Sequence, residues 1–220
     1  MALVSIISKT GLAAPLILAP ERYDPRRELK VSSGKTVELG EIAASVRKMV
    51  KPSDDLGRCL IIDTSDAREG IIITRKQTVM GKQIGSTKKK IVKNDVIISR
   101  LRPYLRQVAF IDKDIHSAKN AQILCSTEFF VLRSIDNQPI AFLVPFLLSK
   151  KVQEVLAVSQ EGGHHPRFVE STLLTLPVPK KFLSQRNKIS KIVTEGVKSY
   201  RCSENTMVEM IEESNRAFES

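Results

Sequence analysis

The sequence predicts an α+β chain: a mixed or antiparallel, β-rich domain with peripheral helices over residues 1–180, then a long helix over 181–220. Three observations carry this reading. Apolar, largely β-branched runs recur between residues 58 and 132, bounded by turn residues, which is the pattern of buried strands. From residue 140 the apolar period changes to that of helices. From Leu183 to Ala217 there is no proline and one glycine, so a single helix of roughly 30 residues, ~45 Å long, fits there.

In chain order, residues 3–19 read as a short strand and a connection, and Pro20–Pro25 as a turn. Residues 26–36 are polar and read as loop. Leu39, Ile42, Ala43 and Val46 fall at helical spacing and predict a short amphipathic helix over 37–46. Arg58–Thr64 reads as a strand, Gly70–Thr74 as another, and the Gly-, Ser- and Lys-rich stretch 81–90 as a loop. Lys93-Asn94-Asp95 is turn-like and opens the strand Val96–Ser99. Beyond it Arg100 and Arg102 would share one face and Leu101 the other. Pro103 cannot donate to a ladder, so the strand ends, bulges or lies at an edge there. Apolar runs at 107–111 and 122–132 continue the sheet. Two short helices break near Ser149, which is placed to cap the second, with Pro145 in the first turn of the first or kinking it. Residues 160–167 form a polar loop and Leu173–Pro179 a short strand.

The chain has 220 residues, enough for one domain and an appendage. It carries 35 Lys and Arg against 24 Asp and Glu, a net charge of +11, an excess that suits a polyanionic partner. Eight basic residues and one acidic residue lie between Lys82 and Arg106. Cys59, Cys125 and Cys202 are far apart and in no CxxC arrangement, which reads as reduced thiols in a cytoplasmic protein. The apolar N-terminus is interrupted by Lys9-Thr10-Gly11 and lacks a preceding basic residue, so neither a secretory signal nor a membrane span is expected. On the long helix, a 4-3 spacing of Ile189, Val193, Gly196, Tyr200, Ser203, Met207 and Met210 reads as a seam for a partner helix. Residues 185–203 carry five basic residues and one acidic one; residues 204–219 carry five acidic and one basic.

Several motifs occur in a particular order: DVIISRLRPYL (95–105), STEFFVLR (126–133), SKKVQE (149–154), GGHHPRF (162–168), LPVP (176–179), then the long helix. Upstream stand RYDP (22–25) and LGEI (39–42). Together they resemble one target-recognition half of the specificity subunit of a type I restriction–modification enzyme. The resemblance implies a domain that reads a short sequence of double-stranded DNA and a helix that packs on its counterpart as a spacer. It implies a separate subunit that methylates adenine at N6 with S-adenosylmethionine, and a translocase–nuclease subunit that can join. The family's subunit carries two recognition domains, whereas this chain carries one. It is therefore either a half-subunit that forms a homodimer or pairs with a second half-subunit, or a fragment. A symmetric dimer would read a bipartite palindrome.

Under that resemblance the candidate DNA-binding residues are Lys88, Lys89, Lys90, Arg100, Arg102, Tyr104, Arg106, His164, His165 and Arg167. The lysines suit phosphate contacts, which position without specifying. The arginines either do the same or reach guanine O6 and N7 in bidentate fashion. Arg102 has a rival role as an internal brace on Glu128. The loop His164–Arg167, hinged by Gly162-Gly163, either faces DNA or locks the domain to the helix. The partner-helix residues are Ile189, Val193, Tyr200, Met207 and Met210. A chain cut after Pro179 is expected to stay folded and to lose its partners.

No catalytic apparatus is expected. There is no Asn/Asp-Pro-Pro-aromatic motif, no G-x-G turn for S-adenosylmethionine and no G-x-S-x-G elbow. His164-His165 lacks further ligands at metal spacing, so no metal is expected. Two alternatives remain: a stand-alone nuclease using carboxylates such as Asp95 and Glu128, and a protein-interaction module whose basic face serves only solubility.

Overall fold

Three apolar strands with both faces buried, Val96–Ser99, Val108–Phe110 and Phe129–Ser134, set the architecture. The computed structural model describes residues 6–8, 10, 20–31, 34–73, 77–115 and 121–219. The expected N-terminal strand at 3–19 falls almost wholly outside them. The strands are β1 (Thr36–Glu38), β2 (Ala43–Ser45), β3 (Met49–Val50), β4 (Arg58–Ile62), β5 (Ala67–Arg68), β6 (Ile71–Ile72), β7 (Val79–Met80), β8 (Lys88–Ile91), β9 (Val96–Ser99), β10 (Val108–Phe110), β11 (Gln122–Cys125), β12 (Phe129–Ser134) and β13 (Pro177–Pro179). The helices are α1 (Leu143–Leu148), α2 (Lys150–Val158), α3 (Glu170–Leu174), α4 (Lys180–Leu183) and α5 (Arg186–Glu219).

The four-stranded sheet β10-β9-β12-β2 is antiparallel throughout. The five-stranded sheet β3-β8-β11-β4-β7 is antiparallel except where β11 runs parallel to β4. Side chains alternate across the first sheet. Ile97, Ala109, Phe129 and Val131 face the second sheet and meet Leu60, Ile62, Ile91 and Ile123. Val96, Ile98, Val108, Phe110, Phe130 and Leu132 face the opposite way, into a larger core with Phe142, Phe146, Leu156 and Phe168. The four-stranded sheet is thus the middle of three layers, which is why its strands read as unbroken apolar runs. The α+β reading with mixed and antiparallel sheets holds, as do the two helices divided at Ser149, with Pro145 in the first turn of α1.

Several local expectations are corrected. Residues 37–46 are not a helix. A 3-10 turn at Leu39–Glu41 links β1 and β2, and Glu41 accepts the Glu38 amide at 2.9 Å. Pairing of β1 with β13, and the 3.0 Å bond from the Leu39 amide to the Leu176 carbonyl, override the helical spacing. Residues 88–90 are not loop but strand, held between β3 and β11. The run 122–132 is two strands in different sheets, divided by a turn at 126–128. Ser149 stands at the N-cap of α2 without a side-chain cap bond.

The long helix is present as one 34-residue element, ~50 Å at 1.5 Å per residue. Its first half is stitched to the globule. Arg186 binds Asp136 at 2.6 and 2.9 Å and the Pro139 carbonyl at 2.8 Å. The Ser190 hydroxyl accepts the Phe142 amide at 3.1 Å. Val197 is part of the core. Arg201, buried with Asp112, donates to it at 3.1 Å, to the Ile72 carbonyl at 2.9 Å and to Glu204 at 2.8 Å. Desolvation opposes the Arg201 charge, but the two carboxylates outweigh it. Of the expected partner seam, Ile189 and Val193 are partly buried and pack on this chain's own core. Tyr200 is half-buried and bonds Glu204 at 3.2 Å. Met207 and Met210 are exposed, with Ile211 and Phe218 beyond them. After Glu204 the helix leaves the domain. Among the described residues no helix is long and apolar enough to cross a membrane.

Arg201→Ala leaves Asp112 buried without its cation, and is expected to cost about 3–5 kcal/mol in urea unfolding. A cut after Pro179 removes Val197 and these stitches, so that chain is expected to lose cooperative unfolding. A chain ending at Asn205 is expected to keep it.

Candidate nucleic-acid interface

The cations cluster where the middle sheet ends, because its strands have no room for charge. β9 stops at Ser99, whose hydroxyl accepts the Leu101 amide at 3.2 Å. Arg102 then takes a left-handed backbone, φ 44°, as does Arg106, φ 52°. Between them Pro103–Leu105 makes one 3-10 turn, closed by the Arg106 amide on the Pro103 carbonyl at 2.8 Å. Such backbones cost about 1–3 kcal/mol each in non-glycine residues and persist only where neighbours hold them. Here Pro103 is buried, and Arg106 donates to Glu69 at 3.1 Å and to the Leu148 carbonyl at 3.0 Å. The turn thrusts Tyr104 outward, 71% exposed. Strand periodicity therefore fails past Ser99, and Arg100 and Arg102 do not form one face of a strand.

A second turn lies beside the first. The amides and carbonyls of Glu161 and Arg167 exchange two 2.9 Å bonds, so residues 162–166 form a narrow loop with Gly162 at φ 99°. That positive φ suits glycine. Leu101 bridges to Arg167, and the Phe168 amide donates to the Arg100 carbonyl at 3.3 Å. Arg102, Tyr104, His164 and His165 all line the notch of about 230 Å³ between the two turns, with Gln107 and Thr64.

Glu128 joins the two turns at their base. It accepts Arg100 at 2.8 Å and Arg167 in bidentate fashion at 2.9 and 2.8 Å. Arg167 first, then Arg100, hold its carboxyl down at about 2 against the opposing effect of burial. The brace on Glu128 is thus Arg100 with Arg167, not Arg102. Arg102 is exposed and makes no ion pair among the described residues. Arg106 is likewise committed to Glu69 and Leu148.

The lysines sit differently from expectation. On β8, Lys89 points inward, 9% exposed, donating to the Phe129 carbonyl at 2.6 Å with its ammonium 5.6 Å from the Phe130 ring centroid. Desolvation lowers its pKa. Lys89 is a core residue, not a surface cation placed for phosphate. Lys90 donates to Gln122 at 2.8 Å, and Lys88 lies 3.9 Å from Asp63; both are half-buried. Sequence reasoning also missed Glu69, Gln107 and Gln160; Gln160 holds the Pro166 carbonyl at 3.0 Å. Nothing in their local sequence marks them, since each acts through a partner distant in the chain or through a turn.

The carboxylates that a nuclease would use are already neutralised. Fully buried Asp95 takes both arms of Arg133 at 2.8 Å and the Val92 amide at 2.8 Å. Among the described residues no group of three or more His, Cys, Asp or Glu is placed to hold a metal.

No family model matches the sequence, and no curated protein is a significant match. Solved structures do match. A chain from a structure of complex assembly in the type I R-M system is 25% identical, with a TM-score of 0.58 over 83% of this chain and 48% of that one. The HsdS subunit from Thermoanaerobacter tengcongensis is 21% identical, with a TM-score of 0.55 over 83% and 48%. The chain has the fold of one half of a type I specificity subunit. It spans about half the length of the solved chains it matches. In this specificity-subunit fold the paired turns lie at one end of the middle sheet.

Because Glu128 is held well below the ordinary carboxylate value of 4.5, its contribution to stability is complete above that value. It is lost as pH falls from there through about 2. Urea midpoints measured from pH 6 down to pH 2 are expected to fall more steeply in the wild type than in Glu128→Gln.

Proposed function

We propose that the chain is the DNA-recognition half-subunit of a type I restriction–modification system. It is a non-catalytic part that brings a separate adenine-N6 methyltransferase subunit to its site. The observation that carries this is the paired-turn end of the middle sheet. There Arg102, Tyr104, His164 and His165 border one notch, with no side-chain hydrogen bond or ion pair among the described residues, in a fold shared with HsdS. A guanidinium, two imidazoles and a phenol on a rigid base suit a duplex: phosphate contacts set the register, and base-edge contacts read the sequence. Arg100, Arg106 and Arg167 serve as braces rather than readers. His164-His165 lines the notch, and Arg167 behind it ties the loop to Glu128 rather than to the long helix.

S-adenosylmethionine belongs, in this reading, to the methyltransferase subunit. A restriction–translocase subunit joins where the system includes one. The protruding part of α5 supplies the assembly surface, with Met207 and Met210 exposed for a second copy or a second half-subunit. The setting is the cytoplasm, with no membrane partner. The nuclease alternative is not favoured, because Asp95 and Glu128 are each held by arginine.

The deciding measurement is methylome sequencing of cells with and without the chain. Loss of one methylated adenine motif is expected, and an unchanged methylome overturns the reading. In anisotropy titrations of the complex on duplex DNA, affinity is expected to fall steeply with salt. Arg102→Ala is expected to weaken binding and to flatten the slope of log K against log salt by about 0.9 if Arg102 holds a phosphate. If it reads a base, the slope stays and discrimination falls by about 1–3 kcal/mol.

A further inference from the structure

We infer that Glu128 is a positioning residue for recognition: by holding Arg100 and Arg167 together it fixes the spacing of the two turns that meet DNA. The inference rests on the DNA-recognition reading above and assigns a role to a side chain that touches no DNA itself.

The geometry is specific. Glu128 sits in the turn between β11 and β12, on a backbone fixed from two sides. Its amide donates to the Ser126 hydroxyl at 3.2 Å, and its carbonyl accepts the Arg100 amide at 3.0 Å. Arg100 roots the turn 102–106, and Arg167 closes the loop 162–166. One carboxylate therefore carries three charge-assisted bonds from residues 28 and 39 positions away. A bidentate fork fixes angle as well as distance, so it transmits position from one turn to the other.

The electrostatics give the residue a second effect of opposite sign. Two guanidiniums share one carboxylate, leaving one net positive charge at the base of the notch. Both arginines are about a third exposed, 35% each, against 22% for Glu128. They lie close enough to the surface for a DNA phosphate to compete for them. Glu128 withholds them from that use. Removing its charge frees two cations for sequence-blind contacts while the turns lose their common anchor. A residue that merely stabilises the fold would weaken specific and non-specific binding together; Glu128 should move them in opposite directions.

The test uses the full chain in complex with its methyltransferase subunit. Glu128→Gln is titrated on a short duplex of random sequence over a range of salt, and its methylome is compared with that of the wild type. The expected result is a salt slope steeper by about 0.9 per newly engaged phosphate, hence up to about 1.8, with sites one base away from the wild-type motif now methylated. Glu128→Asp keeps the charge and is expected to keep the wild-type slope. Arg167→Gln leaves Arg100 paired, so it is expected to relax the motif without steepening the slope.

A Glu128→Gln chain with the wild-type slope and motif overturns the inference. If Glu128→Gln lowers affinity on both counts or fails to melt cooperatively, Arg167→Gln decides, and a folded Arg167→Gln chain with an unrelaxed motif overturns it. Wild-type complex that shows no salt-sensitive binding overturns the DNA reading itself, a failure separable from the others because it needs no variant.

Discussion

A β-sheet buried on both faces excludes charge from its strands. β9, β10 and β12 obey that constraint completely until their ends. Every side chain from Val96 to Ile98 and from Phe129 to Leu132 lies in one of two cores. Polar chemistry is thereby displaced to the strand termini. At one end Asp95 and Arg133 neutralise each other; at the other, Glu128 gathers Arg100 and Arg167. The two ends differ in outcome. Asp95 and Arg133 form a closed pair, whereas the Glu128 cluster is the foundation for turns that project beyond it. A stiff sheet with a charge-locked rim is a suitable support for recognition, because contacts to base edges demand positions fixed to a fraction of an ångström.

Lys89 tests the same constraint from the other side. An ammonium in a core is costly unless it is bonded. Its 2.6 Å bond to the Phe129 carbonyl and its place over the Phe130 ring meet that need. It ties β8 of one sheet to β12 of the other at the root of Glu128's turn. The three consecutive lysines look alike in sequence, yet alternation along a strand separates them. One becomes internal structure, while its neighbours stay half-exposed on the other side.

This shows where the sequence is legible and where it is not. Strands with continuous β-branched residues and a long helix without proline are visible because their signals are local and repeated. The 3-10 turn at Leu39–Glu41 is not, because its helical spacing is overruled by pairing between β1 and β13, which lie some 140 residues apart. The cation cluster was visible as composition, but its division into braces and uncommitted groups was not. That division depends on left-handed backbones at Arg102 and Arg106, and on Glu128 meeting Arg167 across 39 residues. The seam of α5 was half legible. Spacing finds an apolar stripe, and it cannot tell which part of the stripe the chain's own core will claim.

That partition of α5 links recognition to assembly. Arg186, Ser190, Val197 and Arg201 fall on one side of the helix and fasten it to the domain, so the helix axis takes its direction from the globule. Arg201 reaches Asp112 and the Ile72 carbonyl, and Asp112 directly follows Ile111 in the core between the sheets. The rod is thus registered to the same sheet whose far ends carry the charge clusters. Past Glu204 the side chains of Met207, Met210, Ile211 and Phe218 are exposed, and the helix's charge turns acidic where the fastened half is basic. Two such rods laid antiparallel would set basic against acidic halves and leave the exposed methionines against a neighbour. Parallel rods would set like charges together, which disfavours that arrangement. Under the proposed reading, the buried arginine that holds the helix to its own sheet would carry the orientation of the paired turns into an assembly.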